Sequence, residues 1–498
     1  MRYNILCGGP AGQGPNFIAN LISKGLFEKG FYVFSSREYE SRIRGGHNYN
    51  IITFSDSPLY SNSIMIDILI SLDDVSETIH KPNLKKDSII IKGEKSNVFA
   101  AGSAFKILGI NFSILESELK SKSNYDENII EAKKGYSAEN RNFALPPAKK
   151  AKNVYLWTGN DGISFGASSS GLDFYYAYPM TPSTGVLFKL AQEEHSSKYV
   201  TVQLEGEIAV INAAIGSAIT GKKAMIGTSG GGFDLMTEAF SLAGGAGVPL
   251  VVYLAQRPGP ATGAATYTSQ GDLNMARHAG HGEFVRVVSA PGDPKECANL
   301  TSQSFYLSQK YKIPAIILGD KHLADSSYTL TEKPSIMKSP INIKWPARFT
   351  SYEADENKIA NSSEENIIRS VQKRKDKYLK LAKEVESMRS YAIYGKKDSK
   401  NLVVGWGSTK GAILDSIKGL DYKFIQIIYL EPFSKKIKEE LKKSKNIILI
   451  ENNASSPLSS LIAEKTGIFI EDKNKILKYD GRPFLYESIL PEIKKRLK

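Results

Sequence analysis

Only two cysteines, Cys7 and Cys297, occur in the 498 residues. That number excludes a disulfide framework, a four-cysteine zinc site and an iron-sulfur cluster held by this chain alone. No apolar run approaches the ~18 residues a membrane span requires. The stretch from Met1 to Gly9 lacks the charged and apolar regions of a secretory leader, so the expectation is a cytoplasmic protein with no membrane association. Acidic residues are also in deficit: 52 Asp plus Glu stand against 65 Lys plus Arg, a net charge of +13. An acidic partner or ligand would fit that balance. However, basic stretches such as Lys435, Lys436, Lys438, Lys442, Lys443 and Lys445 are interleaved with Glu439 and Glu440 rather than with aromatic residues, which reads as a solvated helix face and not a nucleic-acid platform. No repeat of solenoid period is present. What remains, 41% apolar and 23% charged residues, is a globular composition with room for about three domains.

The chain opens with an apolar strand, Tyr3 to Leu6, then Gly8-Gly9-Pro10-Ala11-Gly12-Gln13-Gly14, then a helical spacing from Asn16 to Phe27. Strand, glycine turn and helix form half of a nucleotide-type βαβ unit. Further strands are predicted at Phe31 to Phe34, Asn48 to Phe54, Ile66 to Ser71 and Ser88 to Ile91, with a boundary in the polar run Lys120 to Lys152. From Tyr155 to about Ser326 a second α/β segment follows. Lys223 to Thr228, Pro249 to Ala255 and Ile313 to Leu318 read as buried parallel strands. Helices are predicted over Glu207 to Thr220 and Phe233 to Ala243, with Gly221 and Gly244 as C-caps. Beyond Pro334, Ile367, Val371, Tyr378, Leu381, Val385 and Met388 mark one apolar helix face, which suits docking on the same protein more than a coiled-coil seam. A third α/β segment begins at Asn401, with strands at Leu402 to Trp406, Lys423 to Tyr429 and Asn446 to Ile450.

Several loops carry residues suited to chemistry. Glycines between Gly8 and Gly14 let backbone N–H groups approach an anion, but Gly9-x-x-Gly12-x-Gly14 reverses the dinucleotide fingerprint, so the turn is either structural or holds another phosphate. Ser41-Arg42-Ile43-Arg44-Gly45-Gly46-His47 sets two arginines and a histidine before a strand. In the second segment, the prolines of Tyr178-Pro179-Met180-Thr181-Pro182-Ser183-Thr184 stiffen a strand-to-helix loop, so that Thr181 either presents its hydroxyl to a ligand or caps the helix. Leu204-Glu205-Gly206-Glu207 puts two carboxylates at a helix start. Thr228-Ser229-Gly230-Gly231-Gly232-Phe233 is a turn at a strand's C-terminal end, where open α/β sheets bind ligands. Gln256-Arg257-Pro258-Gly259-Pro260-Ala261-Thr262-Gly263 ends another strand, and Arg257 there either grips a carboxylate through paired hydrogen bonds or pairs with a neighbouring Asp.

Taken together, Tyr178 to Thr184, Glu205 to Glu207, Thr228 to Gly232 and Gln256 to Gly263, followed by Thr266 and Gln270-Gly271-Asp272, resemble the α subunit of 2-oxoacid:ferredoxin oxidoreductases. Gly8 to Gly14 with Ser41 to His47 resembles the γ domain of the same enzymes, and Val404 to Gly411 with Glu451-Asn452-Asn453 resembles their transketolase-C-terminal-like domain. The resemblance covers nearly the whole chain. It implies an α/β protein of three α/β domains: a Rossmann-like γ-type domain (1–133), a linker (134–153), a thiamine-diphosphate pyrimidine-binding domain (154–330), a linker with a long helix (331–399) and the C-terminal domain (400–498).

By the same resemblance the protein is the γ-α subunit of a CoA-dependent 2-oxoacid:ferredoxin oxidoreductase, acting on 2-oxoglutarate or on a broad range that includes pyruvate. Thiamine diphosphate supplies a carbanion at its thiazolium C2. Glu207, with Glu205 as the fallback, is implied to contact the aminopyrimidine, Thr181 and Arg257 to hold the substrate carboxylate with Thr266 as a further contact, and Pro179, Ser229 and Gly230 to line the cofactor. Arg42, Arg44, Gly12 and Gly14 are implied contacts for coenzyme A or a cover over the site. The family's Gly-Asp-Gly metal-diphosphate motif is missing here, so no metal site is expected in this chain. A β subunit is implied to bring Mg²⁺, the diphosphate contacts and a [4Fe-4S] cluster, in a heterodimer or dimer of heterodimers that reduces ferredoxin. This sequence departs from the family at Gly206, Ala265 and Ser455-Ser456-Pro457, and has a short stretch from Pro334 to Asn366. The competing readings are another thiamine enzyme subunit, of transketolase or dehydrogenase E1 type, and a catalytically silent scaffold.

Overall fold

The computed structural model describes residues 1–40, 45–93, 96–120, 124–148, 155–340 and 351–496. Arg42 and Arg44 lie outside the described residues. The chain divides into two compact units: Met1–Thr158 with Asp325–Lys333 and Phe484–Leu490, and Gly159–Ala324 with Pro334–Pro483 and Pro491–Lys498. Among the described residues no helix is long and apolar enough to cross a membrane.

The first unit is built on a mixed seven-stranded sheet. Its strands are β1 (Arg2–Ala11), β2 (Tyr32–Glu38), β3 (Gly45–Ser55), β4 (Ile66–Ser71), β5 (Leu84–Lys92), β6 (Tyr155–Thr158) and β13 (Ser327–Leu330), in the order β5-β4-β1-β3-β2-β13-β6. β1, β4 and β5 run parallel, whereas β3 is antiparallel to both β1 and β2. The expected βαβ half-unit is present as β1, the helix Pro15–Glu28 and β2, but β3 is inserted between its two strands. The glycine turn is shorter than the sequence suggests, because β1 continues through Gly8 and Gly9. A Cβ on Gly8 would come within 2.7 Å of the Ser76 hydroxyl, and one on Gly9 within 2.8 Å of Leu72. Those two glycines serve close packing, and only Gly12 and Gly14 take the positive φ of a turn. Within the polar run from Lys120 a helix forms, Tyr125–Ala138, and buries Ile129 and Ala132 in the unit's core. It crosses the domain boundary expected at 133.

The second unit contains two sheets. The larger has β7 (Phe174–Ala177), β8 (Val200–Gln203), β9 (Ala224–Thr228), β10 (Leu250–Gln256), β11 (Val287–Ser289), β12 (Pro314–Asp320) and β17 (Tyr429–Glu431), in the order β17-β11-β12-β10-β9-β7-β8. All neighbours are parallel except β11 and β17. Every residue of β9, β10 and β12 is buried, as strands covered by helices on both faces must be. The smaller sheet has the order β14-β16-β15-β18-β19, from β14 (Tyr391–Gly395), β15 (Asn401–Trp406), β16 (Lys423–Ile427), β18 (Asn446–Glu451) and β19 (Lys475–Leu477).

The run Lys423 to Tyr429, expected as one strand, serves both sheets. It breaks at Ile428, whose carbonyl accepts from the Ala290 amide, so that β16 stays in the smaller sheet and β17 crosses to the larger. The helix expected to end at Gly244 continues to Ala246 and is capped by Gly247 with φ 70°. Gly244 is instead a packing position, because a Cβ there would overlap the Phe284 ring. The helix Glu364–Ser387 docks its C-terminal half through Leu381 and Val385, while Ile367 is exposed.

Candidate active site

The larger sheet of the second unit has its topological switch point between β7 and β9. From β7 the chain moves outward to β8 on one side and then to β9 on the other. Loops leaving the C-terminal ends of such neighbours diverge and open a crevice, the usual ligand position in open α/β sheets. Four loops leave β7, β8, β9 and β10 at this end, and they carry the motifs singled out above.

After β7, the segment Tyr178 to Ser183 leads into the helix Thr184–Glu193. The Ser183 hydroxyl donates to the Met180 carbonyl at 2.8 Å, and Asn160 Nδ2 donates to the Pro182 carbonyl at 3.2 Å. Two buried anchors therefore fix the loop around Thr181, whose partner Pro182 follows a cis peptide. Arg257, at the end of β10, donates from Nη1 to the Thr181 carbonyl at 2.8 Å. The guanidinium thus braces the threonine loop by its backbone, and its planar fork has further donors. Pro179 and Thr181 are half-buried.

After β8, Glu205 is exposed, and Glu207, the first residue of the helix Glu207–Ile219, is buried at 7% exposure. Between the two choices read from the motif, burial distinguishes Glu207. Its carboxylate makes no hydrogen bond among the described residues, and its oxygens keep an opening to solvent. A Cβ on Gly232 would lie 2.9 Å from its Oε1 and 2.3 Å from the Thr228 hydroxyl. Gly232 therefore permits the approach of the next helix to this carboxylate, and Thr228 borders the same point. The Thr228 hydroxyl in turn reaches Met180 Sδ at 3.9 Å, so the loops after β7, β8, β9 and β10 form one connected group.

The stretch Gly230 to Gly232, read above as turn, is already the first turn of the helix Gly230–Ala246. Ser229 is its N-cap, fully buried, and its hydroxyl has no partner among the described residues. Tyr175, on β7, presents a second such hydroxyl, beside Gly227. Thr266 is half-buried on the segment leading from β10. Gly12 and Gly14 belong to the first unit, where Asn97 Nδ2 donates to the Gln13 carbonyl between them at 3.1 Å.

One group that the sequence offered only as part of a motif is Asp272. Its amide donates to Gln256 Oε1 at 2.9 Å, while its Oδ2 is buried without a partner, 2.7 Å from where a Cβ on Gly230 would sit. Burial pushes its carboxyl up to about 6, with Asp234 adding to the shift and Arg257 opposing it. Nothing in spacing marks this residue, because its burial depends on the Gly230 turn closing over it. Tyr175 was equally hidden, since Phe174-Tyr175-Tyr176-Ala177 reads as an ordinary core strand.

The smaller sheet treats its buried polar groups differently. Glu451 is fully buried and accepts from Trp406 Nε1 (2.9 Å), Asn453 Nδ2 (3.2 Å), the Ser456 hydroxyl (2.9 Å) and the Leu458 amide (3.2 Å). Gln270 stitches the two sheets. Its side chain donates to the Trp406 carbonyl (2.9 Å) and accepts from the Asn452 amide (2.9 Å). Among the described residues no group of three or more His, Cys, Asp or Glu side chains is placed to hold a metal ion.

Comparison with known proteins gives consistent matches. Residues 166–393 match the family described as "Pyruvate flavodoxin/ferredoxin oxidoreductase, thiamine diP-bdg", and residues 4–137 that described as "Pyruvate ferredoxin/flavodoxin oxidoreductase". The chain is 28% identical to the 2-oxoacid:ferredoxin oxidoreductase subunit alpha of Sulfolobus sp, over 98% of this chain and 96% of that one. With the same subunit of Saccharolobus solfataricus it is 29% identical, over 99% and 98%. The first alignment spans 608 positions against 498 residues here, so the relative carries inserted segments. Among solved structures, 2-oxoglutarate:ferredoxin oxidoreductase from Magnetococcus marinus, with 2-oxoglutarate, coenzyme A and succinyl-CoA bound, shares the fold at a TM-score of 0.87 and 24% identity, covering 100% of both chains.

Proposed function

The chain belongs to the 2-oxoacid:ferredoxin oxidoreductase family, and from that premise we propose that it is the γ-α subunit of an enzyme converting a 2-oxoacid and coenzyme A to acyl-CoA and CO₂ with reduction of ferredoxin. 2-Oxoglutarate, or a range of 2-oxoacids that includes pyruvate, is the substrate. The observation that carries this reading is the switch-point crevice, where a buried carboxylate without a partner, Glu207, lies beside the glycine-lined approach of Gly232 and in the same loop group as Thr181 and Arg257.

Thiamine diphosphate, when bound, supplies a nucleophilic carbon and an electron sink for decarboxylation. The residues present fit its aminopyrimidine half. A carboxylate on a largely buried side chain that no protein donor occupies and that still opens to solvent leaves its lone pairs free for a ligand, and a ring N–H of the cofactor would be a donor to it. Glu207 holds the proton-sharing contact with the ring, Pro179 and Ser229 line its edges, and Gly230 and Gly232 leave room for close approach. Arg257, braced on the Thr181 carbonyl, directs its remaining donors to the substrate carboxylate, and the Thr181 and Thr266 hydroxyls complete that pocket. Glu205, being exposed, has a secondary place.

The metal-diphosphate half falls to a β subunit that holds Mg²⁺ and a [4Fe-4S] cluster, in a cytoplasmic heterodimer or dimer of heterodimers. The γ-type region contributes coenzyme A contacts or a cover, through Gly12, Gly14, Arg42 and Arg44. The test is to assay the reconstituted two-chain complex with pyruvate, 2-oxobutyrate and 2-oxoglutarate, with and without coenzyme A, following viologen or ferredoxin reduction. Reduction that depends on a 2-oxoacid, thiamine diphosphate and coenzyme A is expected. A complex with bound cofactor that turns over none of the three would contradict the assignment.

A further inference from the structure

A cavity of about 670 Å³ opens in the second unit between the helix Glu364–Ser387 and the segment Arg277–Arg286, and it shares no residue with the switch-point crevice. Its walls combine apolar and aromatic surface, chiefly Phe284, Val285, Tyr378 and Leu379, with an excess of cations: five Arg and Lys against three Glu. Most of these charges are committed. Arg277 donates to both Glu464 oxygens at 3.0 and 2.9 Å, Tyr378 donates to Glu431 at 2.7 Å, and Arg374 pairs with Glu353.

Arg286 and Lys375 are the exceptions among the cations, and the lining Glu283 likewise makes no ion pair among the described residues. Arg286 is 6% exposed, donates one hydrogen bond, from Nη1 to the Ala279 carbonyl, and makes no ion pair among the described residues; the carboxylate that acts on it, Glu431, is shared with Arg277, Lys465 and Tyr378. Its guanidinium lies 4.1 Å from the Phe284 ring centroid, and burial pushes its pKa down to about 10. Lys375, at the exposed rim, also lacks a carboxylate partner among the described residues. His278, on the same wall, is held below its usual range by burial and by Arg277. A buried arginine whose carboxylate is shared with two other cations is left under-compensated unless an anion completes it, and a cavity of this size is that of a small-molecule site.

We propose that this cavity binds an organic anion, a phosphate or carboxylate carried on an aromatic or apolar body, with Arg286 as its anchor and Lys375 at its entrance. Titration calorimetry on the reconstituted complex with phenyl phosphate, benzoate and inorganic phosphate tests it. At least one aromatic anion binds, and inorganic phosphate, lacking the body, binds about tenfold more weakly or worse. Whichever aromatic anion binds more tightly identifies the natural head group. Arg286→Met lowers affinity about tenfold or more. Lys375→Glu, on an exposed helix face where folding is not at stake, lowers it about threefold and removes part of the salt dependence. Failure of both aromatic anions to bind, or an affinity unchanged in both variants, overturns the proposal.

Discussion

Two buried glutamates of the second unit have opposite surroundings. Glu451 is enclosed by four donors from Trp406, Asn453, Ser456 and Leu458. Glu207 is buried as well, yet no donor reaches it among the described residues, and neither the Ser229 hydroxyl nor Asp272 Oδ2 nearby has a partner. The same contrast holds at Lys410, which is fully paired with Asp293 and Glu296. A saturated buried network fixes one arrangement of side chains. An unsaturated one leaves donors and acceptors open to a ligand. The smaller sheet and its seam are therefore structural, and the crevice at the ends of β7 to β10 is where the protein awaits chemistry.

Substitutions can break that contrast from either side. The largest effect is expected at Gly232→Ala, whose methyl group would meet Thr228 and the Glu207 carboxylate. Displacing that carboxylate lowers turnover per folded molecule about 10³-fold, or ~4 kcal/mol of transition-state stabilisation, and the overlap with the buried Thr228 hydroxyl costs about 1–3 kcal/mol of stability besides. Steady-state rates and a melting curve on the same sample check both halves. Glu451→Ala should do the reverse. Leaving Trp406 and Asn453 donors unsatisfied costs about 3–4 kcal/mol of stability, read from denaturant midpoints, with activity per folded molecule preserved.

Asp272→Asn sharpens the comparison through pH. The folded-state pKa of Asp272 is raised to about 6, above its unfolded value near 3.9, so the native state binds the proton more tightly. That contribution is fully present below about pH 4 and is lost as pH rises through 6. Between pH 4 and pH 8 the wild type should lose on the order of 2–3 kcal/mol more stability than Asp272→Asn. Parallel stability curves would contradict the assigned environment. The smallest effect belongs to Arg257→Lys, which keeps the charge and loses the fork. KM for the 2-oxoacid should rise about tenfold with a lesser change in kcat.

Much of this was legible in the sequence for physical reasons. β9, β10 and β12 are short apolar runs between glycines and prolines because both their faces are covered. The four site loops announced themselves because proline, glycine and charge cluster where strands end. Other features depend on tertiary partners. Gly244 looked like a cap and proved to be the seat of Phe284. Gly8 and Gly9 read as part of a glycine turn, either structural or phosphate-holding, and proved to be strand positions against Ser76 and Leu72. The break at Ile428, which sends one apolar run into two sheets, has no local signal. Glu205 and Glu207 were equivalent by spacing, and only the helix that follows Ser229 buries one and leaves the other in solvent.

The central claim is that Glu207 lies unpartnered because a cofactor donor completes it. The direct measurement compares wild type and Glu207→Gln in the reconstituted complex, following 2-oxoacid-dependent viologen reduction and the thermal midpoint with and without added thiamine diphosphate. The account predicts that the variant loses turnover by about 10³-fold, keeps or gains stability without the cofactor, and is stabilised less by its addition. Equal turnover, or an equal cofactor-induced shift in both proteins, would contradict it.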